Sequence, residues 1–483
     1  MYSKTDILLI NPFSWTRDGS PAYIPYGILY LAGYLRERGI SVDIFDANTD
    51  NREPLEIIEE KQPRVLGLSV LTGPVINEAL NISRGTKRKF KDIKIIWGGL
   101  HPTLFPQFVL KEESVDFIIQ SEGEEVLYLL LKSLFEGNFD KSIPSLGYKE
   151  NGDIIINPII NSLIDLNLLP MPAWDLIDIP KYVANRFFAS RVLTMNTSRG
   201  CPFKCAFCFN QGLSHQRWRA LNAAKMHEQL THLRDAYGIN GIQFYEDSFD
   251  TNKKRVKEFC QLMIETKTKV NWSHFSNIIY NNEELLKFEK AANCKYIEYG
   301  VESGSDRILN LIVKQQSVEQ VKNAFATCKK VGIKSAALFM IGYPTETMKE
   351  LQETVDLVEN LPAHILICTI YRPYPGTPLH DYCTKHKNFH IPQTLEEQGD
   401  FYKFSHMDDD TENMSEVPTH YLLKLQRSFY AKFAINEFKL CLRELNFSLL
   451  FYYLKQQMQP KAFIYTMKSL LIRTGLLFSG RNK

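Results

Sequence analysis

Cysteine is scarce in this 483-residue chain, nine in all, and the count is odd. Six of the nine stand scattered, which argues against a disulfide framework and for a reducing compartment. Long hydrophobic runs are missing as well. No stretch reaches the roughly 18 consecutive apolar residues that a membrane-spanning helix needs. Residues 1–11 read as a strand running into Pro12, too short and too polar at its flanks for a signal peptide. These absences predict a cytoplasmic protein. Excess charge of either sign is lacking too, 57 Lys and Arg standing against 55 Asp and Glu for a net +2. The overall balance therefore gives no reason to expect nucleic acid as a partner. No internal repeat or low-complexity segment occurs. What remains, 44% hydrophobic and 23% charged residues, suffices for two or three ordinary globular domains.

The other three cysteines are grouped. Cys201, Cys205 and Cys208 follow C-x3-C-x2-C spacing on a loop that leaves the β-branched, apolar run 192–197. Random placement would yield that pattern about 0.003 times in a chain of this composition. Thiolates so spaced converge on one small volume, and soft sulfur selects zinc or an iron-sulfur cluster. A structural zinc ion is closed by four ligands, and His215 is the nearby residue able to supply the fourth. A four-iron cluster held by three cysteines leaves one iron open to another ligand.

Upstream, strand-like runs at residues 6–10, 42–46, 65–70, 93–97 and 117–120 alternate with amphipathic segments, which predicts a doubly wound parallel sheet. The first helix carries Ile28, Leu31, Ala32 and Leu35 on one face and ends near Gly39. Ligands of such sheets lie beyond the carboxyl ends of the strands. There stand the Pro-rich loop 11–26, Ser69-Val70-Leu71-Thr72-Gly73, Gly98-Gly99-Leu100-His101-Pro102 and Ser121-Glu122-Gly123-Glu124. His101, the first histidine of the chain, has the ordinary reading of a loop residue facing solvent, with a supporting role behind a ligand as the alternative. Asn151-Gly152 marks a tight hairpin. Pro170-Met171-Pro172-Ala173-Trp174 is a stiff crossing in which Trp174 is expected to pack.

From residue 191 to about 385, six strand-helix units can be counted, with strands near 192–197, 242–245, 270–275, 296–299, 336–341 and 365–371. They predict a partial (β/α)6 barrel, whose functional groups sit at the carboxyl ends of strands. Those ends carry Glu246-Asp247, Glu302-Ser303, Gly342 with Pro344, and Arg372. The acidic pair has an equally ordinary reading as the start of a helix favoured by the macrodipole. The region 386–483 opens with an acidic patch at Asp408, Asp409 and Asp410. It continues in helical segments rich in aromatics, with six Lys or Arg and no Asp or Glu from Asn446 onward. Such helices either pack over the barrel or lie on an anionic membrane surface.

Two blocks of this pattern resemble the cobalamin-binding radical S-adenosylmethionine enzymes. One is the cysteine triple, with aromatic Phe207 before its last member. The other is Ser69-x-Leu71 paired with Gly98-Gly99, which is similar to the elements lining the slot for the cobalamin nucleotide tail. The resemblance implies a flavodoxin-like cobalamin-binding domain over 1–145, a connector over 146–190, a radical S-adenosylmethionine domain over 191–385 and a helical C-terminal region over 386–483. It implies a 4Fe-4S cluster on Cys201, Cys205 and Cys208. S-adenosylmethionine would be contacted by Phe207, Glu246, Asp247, Glu302, Ser303 and Gly342, and cobalamin by Ser69, Leu71, Thr72, Gly98 and Gly99. The family's D-x-H-x-x-G motif is absent after the first strand, so its histidine is not available below the cobalt. The implied activity is methylation of an unactivated carbon, forming 5′-deoxyadenosine and S-adenosylhomocysteine. A second implied activity is radical cyclisation without methyl transfer, as in anaerobic magnesium-protoporphyrin monomethyl ester cyclases. A cobalamin-binding sensor or a zinc-stabilised interaction protein is the non-enzymatic alternative. Expected partners are an external electron donor and a small molecule, apolar or planar on the weak grounds of C-terminal aromatic content.

Overall fold

The computed structural model describes residues 5–13, 22–159, 163–210, 216–387, 389–401 and 412–443. His215, the acidic patch at 408–410 and the basic aromatic stretch after Asn446 lie outside the described residues. The chain forms two compact units that interleave along the sequence. Residues 1–183, 198–225 and 373–406 make the first, and residues 184–197, 226–372 and 407–483 the second.

The first unit is built on a seven-stranded sheet. Its strands are β1 (Ile7–Asn11), β2 (Val42–Asp46), β3 (Val65–Ser69), β4 (Lys94–Gly98), β5 (Phe117–Ile119), β6 (Leu146–Glu150) and β7 (Asp153–Ile156), in the order β2-β1-β3-β4-β5-β6-β7. The first five are parallel and the last two antiparallel, which is the flavodoxin-like order expected of a doubly wound sheet. The apolar run of β1 shows why: Leu8 and Ile10 enter the core on one face, Ile7 and Leu9 the core on the other. A strand covered on both faces has no polar alternation to keep. Asn151 and Gly152, at φ 51° and 92°, supply the positive angles of the β6–β7 turn. The crossing segment lies against the helix Tyr26–Arg36, where the Ala173 N–H donates to the Leu29 carbonyl at 3.2 Å. Trp174 is buried and meets Tyr26 edge-on at 5.5 Å.

The second unit carries the other large sheet. Its strands are β8 (Ala184–Arg186), β9 (Ala189–Met195), β12 (Gly241–Phe244), β13 (Asn271–Ser276), β14 (Cys294–Glu302), β15 (Lys334–Ile341) and β16 (Ile365–Ile370), ordered β16-β15-β14-β13-β12-β9-β8. Six are parallel and β8 closes the edge antiparallel, so the six expected strand-helix units form an open half-barrel. Between β9 and β12 in sequence stand β10 (Ser198–Arg199) and β11 (Arg219–Ala220), a separate antiparallel pair. The helix Thr419–Arg443 lies along β16. Its Phe429 ring packs on Phe339 at 5.7 Å, and Gln426 donates to the Cys368 carbonyl at 3.3 Å. Among the described residues no helix is long and apolar enough to cross a membrane.

Candidate functional site

At the carboxyl ends of β3 and β4, neighbours in the sheet, the backbone folds into a tight cradle. The Val70 N–H donates to the Gly98 carbonyl at 2.8 Å, and the His101 N–H donates to the Val70 carbonyl at 3.0 Å. Gly99 takes φ 99°, and a side-chain carbon there would stand 3.1 Å from the Val70 oxygen. Gly98 is different: a carbon added to it meets nothing within 4 Å, so its α-carbon borders open space over the strand ends. Leu71, 49% exposed, offers an apolar side chain at the same edge. This cradle of bare backbone fits the flat, extended tail of a cofactor.

His101 does not face solvent. It is 0% exposed, on the short helix Leu100–Leu104, with its ring 5.1 Å from that of Phe105 and its Nδ1 3.2 Å from Thr72 Oγ1. Burial holds the imidazole neutral, with a pKa near 3, and the Gln398 side chain lies beside it. The loop reading failed because the Gly98-Gly99 turn tucks the following helix under the Ser69–Thr72 segment.

The cysteine loop is closed at its neck by β10 and β11, with Ser198 opposite Ala220 and Arg199 opposite Arg219. Both arginines reach the Ser121–Glu124 turn. Arg199 contacts Glu124 at 2.6 Å and Glu122 at 3.6 Å, and Arg219 pairs with Glu122. Burial alone would raise the Glu124 pKa, but the Arg199 guanidinium outweighs it and holds the carboxyl below its usual range. Within the loop the Cys208 N–H donates to the Cys205 carbonyl at 3.0 Å, and the Leu379 N–H donates to the Ala206 carbonyl at 3.0 Å. Phe209, next to Cys208, stacks at 5.4 Å on Tyr374, whose hydroxyl lies beside Thr72. Cys205 is buried, Cys201 and Cys208 are half-buried, and none is in a disulfide. Three thiols in reduced form on one short loop are a donor set suited to a cluster.

In the second unit Glu246 follows β12. It is buried, and its Oε1 accepts from the Thr197 N–H at 2.7 Å and from the Thr197 hydroxyl. Arg255 donates to the same hydroxyl and to the Phe249 carbonyl at 3.1 Å. Together they hold the residue where the chain leaves for the cysteine loop. The acidic pair does not begin a helix, since Lys253–Glu265 is capped by the Asn252 side chain. Asp247 is exposed. Glu302, at φ 69°, ends β14 at a bulge and pairs with Lys314 at 2.8 Å. Ser303 is fully buried and accepts from the Ser305 N–H at 3.1 Å. At the end of β15, Gly342 (φ 81°) and Tyr343 both donate their N–H groups to the Glu346 carboxylate, the second at 3.2 Å. Ser69, Leu71, Thr72, Gly98, Gly99 and the three cysteines, with Phe207, thus share the first unit. Glu246, Asp247, Glu302, Ser303 and Gly342 stand at strand ends of the second.

Thr197, Arg199, Arg255, Lys314, Tyr374 and Glu346 were not singled out individually from sequence. Only Glu346 had a local signal, a carboxylate four residues after a strand-ending glycine.

Glu346 is buried, which pushes its pKa up from 4.5 to about 7 despite the two backbone donors. The native state therefore holds this proton more tightly than the unfolded chain between about pH 4.5 and 7. Stability from this group is complete below that window and falls as pH rises through it. Glu346→Gln keeps a carbonyl acceptor and buries no charge. The variant should exceed the parent by up to about 3 kcal/mol at pH 8 and match it at pH 4.5. Thermal midpoints at both pH values check this, and an equal shift at both would discard the linkage.

Comparison with known proteins finds two family matches. Residues 195–358 match the radical SAM superfamily, and residues 21–131 match the B12 binding domain. An uncharacterized methyltransferase of Pyrococcus horikoshii is 32% identical over 362 residues, which span 74% of this chain and 78% of that protein. The anaerobic magnesium-protoporphyrin IX monomethyl ester cyclase of Rubrivivax gelatinosus is 27% identical over 366 residues, 74% of this chain and 65% of that one. Among solved structures, the radical S-adenosylmethionine methyltransferase TsrM from Kitasatospora setae, with cobalamin and a [4Fe-4S] cluster bound, superposes with a TM-score of 0.66. That match has 17% identity and covers 79% of this chain and 75% of TsrM.

Proposed function

Since this chain belongs to the cobalamin-binding radical S-adenosylmethionine enzymes, we propose that it transfers a methyl group to an unactivated carbon of a small organic substrate. Its cofactors are a 4Fe-4S cluster, S-adenosylmethionine and cobalamin. When bound, the cluster and S-adenosylmethionine supply a 5′-deoxyadenosyl radical, and cobalamin supplies the methyl group.

The residues of this chain bind, orient and shield. Cys201, Cys205 and Cys208 would hold the cluster as thiolates, with Phe207 covering it. Ser69, Leu71, Thr72, Gly98 and Gly99 would take the nucleotide tail of cobalamin, Gly99 by close backbone approach and Gly98 by leaving room. Glu302 and Ser303 would meet the ribose of S-adenosylmethionine and Gly342 its adenine. Glu246 and Asp247 would serve the methionyl amino group, Glu246 also setting the position of Thr197. The observation that carries the proposal is the packing of the cysteine loop onto the scaffold that holds the β3–β4 cradle, through Arg199 and Arg219 on Glu124 and Glu122 and through Phe209 on Tyr374. That arrangement serves chemistry in which both cofactors act on one substrate. The similarity to a protein named as a methyltransferase supports methyl transfer. The electron donor is external, the substrate apolar or planar, and the compartment the cytoplasm.

Radical cyclisation without methyl transfer is the second reading, favoured by the similarity to the tetrapyrrole cyclase. The two separate by products. Protein reconstituted without oxygen with iron, sulfide and hydroxocobalamin, reduced by titanium(III) citrate and given S-adenosylmethionine, should form 5′-deoxyadenosine and cobalamin-dependent S-adenosylhomocysteine. Chromatography with mass detection measures both. 5′-Deoxyadenosine without S-adenosylhomocysteine would overturn methyl transfer in favour of cyclisation.

A further inference from the structure

A second group of soft and hard donors lies within the half-barrel unit, away from the carboxyl ends of its strands. His274 stands on β13, Glu289 on the helix Glu283–Ala291, and Cys294 is the first residue of β14. Side chains alternate along β13: Phe275 packs on Tyr245, whereas Trp272 and His274 turn to the helix layer, Trp272 on Phe259 and His274 on Phe249. The three donors are at most 2% exposed. One ligand atom from each lies within 4.8 Å of the other two.

The hydrogen bonding around this group is incomplete in a directed way. His274 Nδ1 is 3.2 Å from the Phe275 carbonyl, which places a proton on that nitrogen and turns Nε2 toward Glu289. This is the second contact that a metal-bound histidine makes with its other ring nitrogen. Nε2 and Glu289 Oε1 are 3.5 Å apart, and neither Nε2 nor either carboxylate oxygen of Glu289 has a hydrogen-bond partner among the described residues. A carboxylate buried this deeply carries a large desolvation penalty. The separation is long for a direct N–H···O bond. It matches two ligands on one tetrahedral ion, since zinc bonds of about 2.0–2.2 Å place nitrogen and oxygen about 3.3–3.5 Å apart.

We propose that His274, Glu289 and Cys294 bind a structural zinc ion, independent of the cluster and cobalamin chemistry. Imidazole, carboxylate and thiolate together suit zinc among the common divalent ions. On binding, the Cys294 thiol loses its proton to solvent and the ion bonds to sulfur, nitrogen and oxygen with no change of oxidation state. The ion would pin β13, β14 and the helix between them by bonds shorter than any packing contact.

The test is metal analysis of full-length protein from zinc-supplemented cultures, beside Cys205→Ala, Cys294→Ser and His274→Gln. About one zinc per chain is expected in the parent, kept in Cys205→Ala while iron is lost, and lost in the other two while iron is kept. To separate ligand loss from unfolding, metal-stripped Glu289→Gln, a near-isosteric change, is titrated with cobalt(II) and followed by the visible d–d and thiolate charge-transfer bands. Its binding should be at least about 10-fold weaker than the parent's, with circular dichroism unchanged. Folded parent protein without zinc, or with zinc that survives both Cys294→Ser and His274→Gln, would overturn the site. A proton would then hold the His274–Glu289 pair.

Discussion

Cys205→Ala will empty the protein of cluster iron and abolish formation of 5′-deoxyadenosine, while cobalamin stays bound. Cys205 is the buried member of the triple. The substitution removes its sulfur alone. The loop's own bonds, from the Cys208 N–H to the Cys205 carbonyl and from the Leu379 N–H to the Ala206 carbonyl, use backbone groups that alanine retains. The fold of the loop should persist, and the loss should come from ligation: two thiolates leave a four-iron cluster with two irons unheld. Product formation should drop at least about a thousandfold, equivalent to more than 4 kcal/mol at the transition state. Iron and sulfide assays and product chromatography, all without oxygen, read the result. Retention of four irons in the variant would mean that the cluster is held elsewhere.

Gly98→Leu should remove cobalamin and leave the fold and the iron content intact. An added carbon at Gly98 meets nothing within 4 Å, so a leucine side chain there starts into the space above β3 and β4 without strain at its first atom. The proposed occupant of that space is the cofactor's tail. Binding measured by titration with hydroxocobalamin should weaken at least about 100-fold, or about 2.7 kcal/mol, with an unchanged thermal midpoint in the absence of cobalamin. Gly99 would not serve for this experiment. Its φ of 99° and the Val70 oxygen 3.1 Å away strain any side chain, so lost binding there would not be separable from damage to the turn. Unchanged cobalamin affinity in Gly98→Leu would move the cofactor away from this cradle.

Much of the fold is legible from residue patterns. The run Ile7–Ile10 reads as a buried strand because strands covered on both faces are apolar throughout, and the six strands of the half-barrel are legible as short β-branched and aromatic runs alternating with helical segments. The cysteine triple is legible because its three ligands are neighbours in sequence. What eludes such reading is contact across long separations. Glu246 meets Thr197 forty-nine residues away, and Glu124 meets Arg199 seventy-five residues away; nothing in the residues around either pair marks the partner. The burial of His101 has no mark in its neighbours in sequence, because exposure is a property of what folds over a residue. His274, Glu289 and Cys294 eluded notice for the same reason, being assembled from two strands and a helix without a motif spacing, so that Cys294 read only as one more scattered cysteine.

The interleaving of the two units sets how the protein can come apart. Glu124 is 4% exposed, and the charge that compensates it arrives on residue 199, after the chain has contributed strands β8 and β9 to the other sheet. A polypeptide ending at residue 183 would lack the guanidinium that compensates Glu124, together with the rest of residues 198–225 and 373–406. Synthesis therefore cannot finish the first unit before most of the second has been made. Most of the half-barrel unit is translated between segments of its neighbour, and completion of the cobalamin scaffold must wait for a segment that emerges near residue 400.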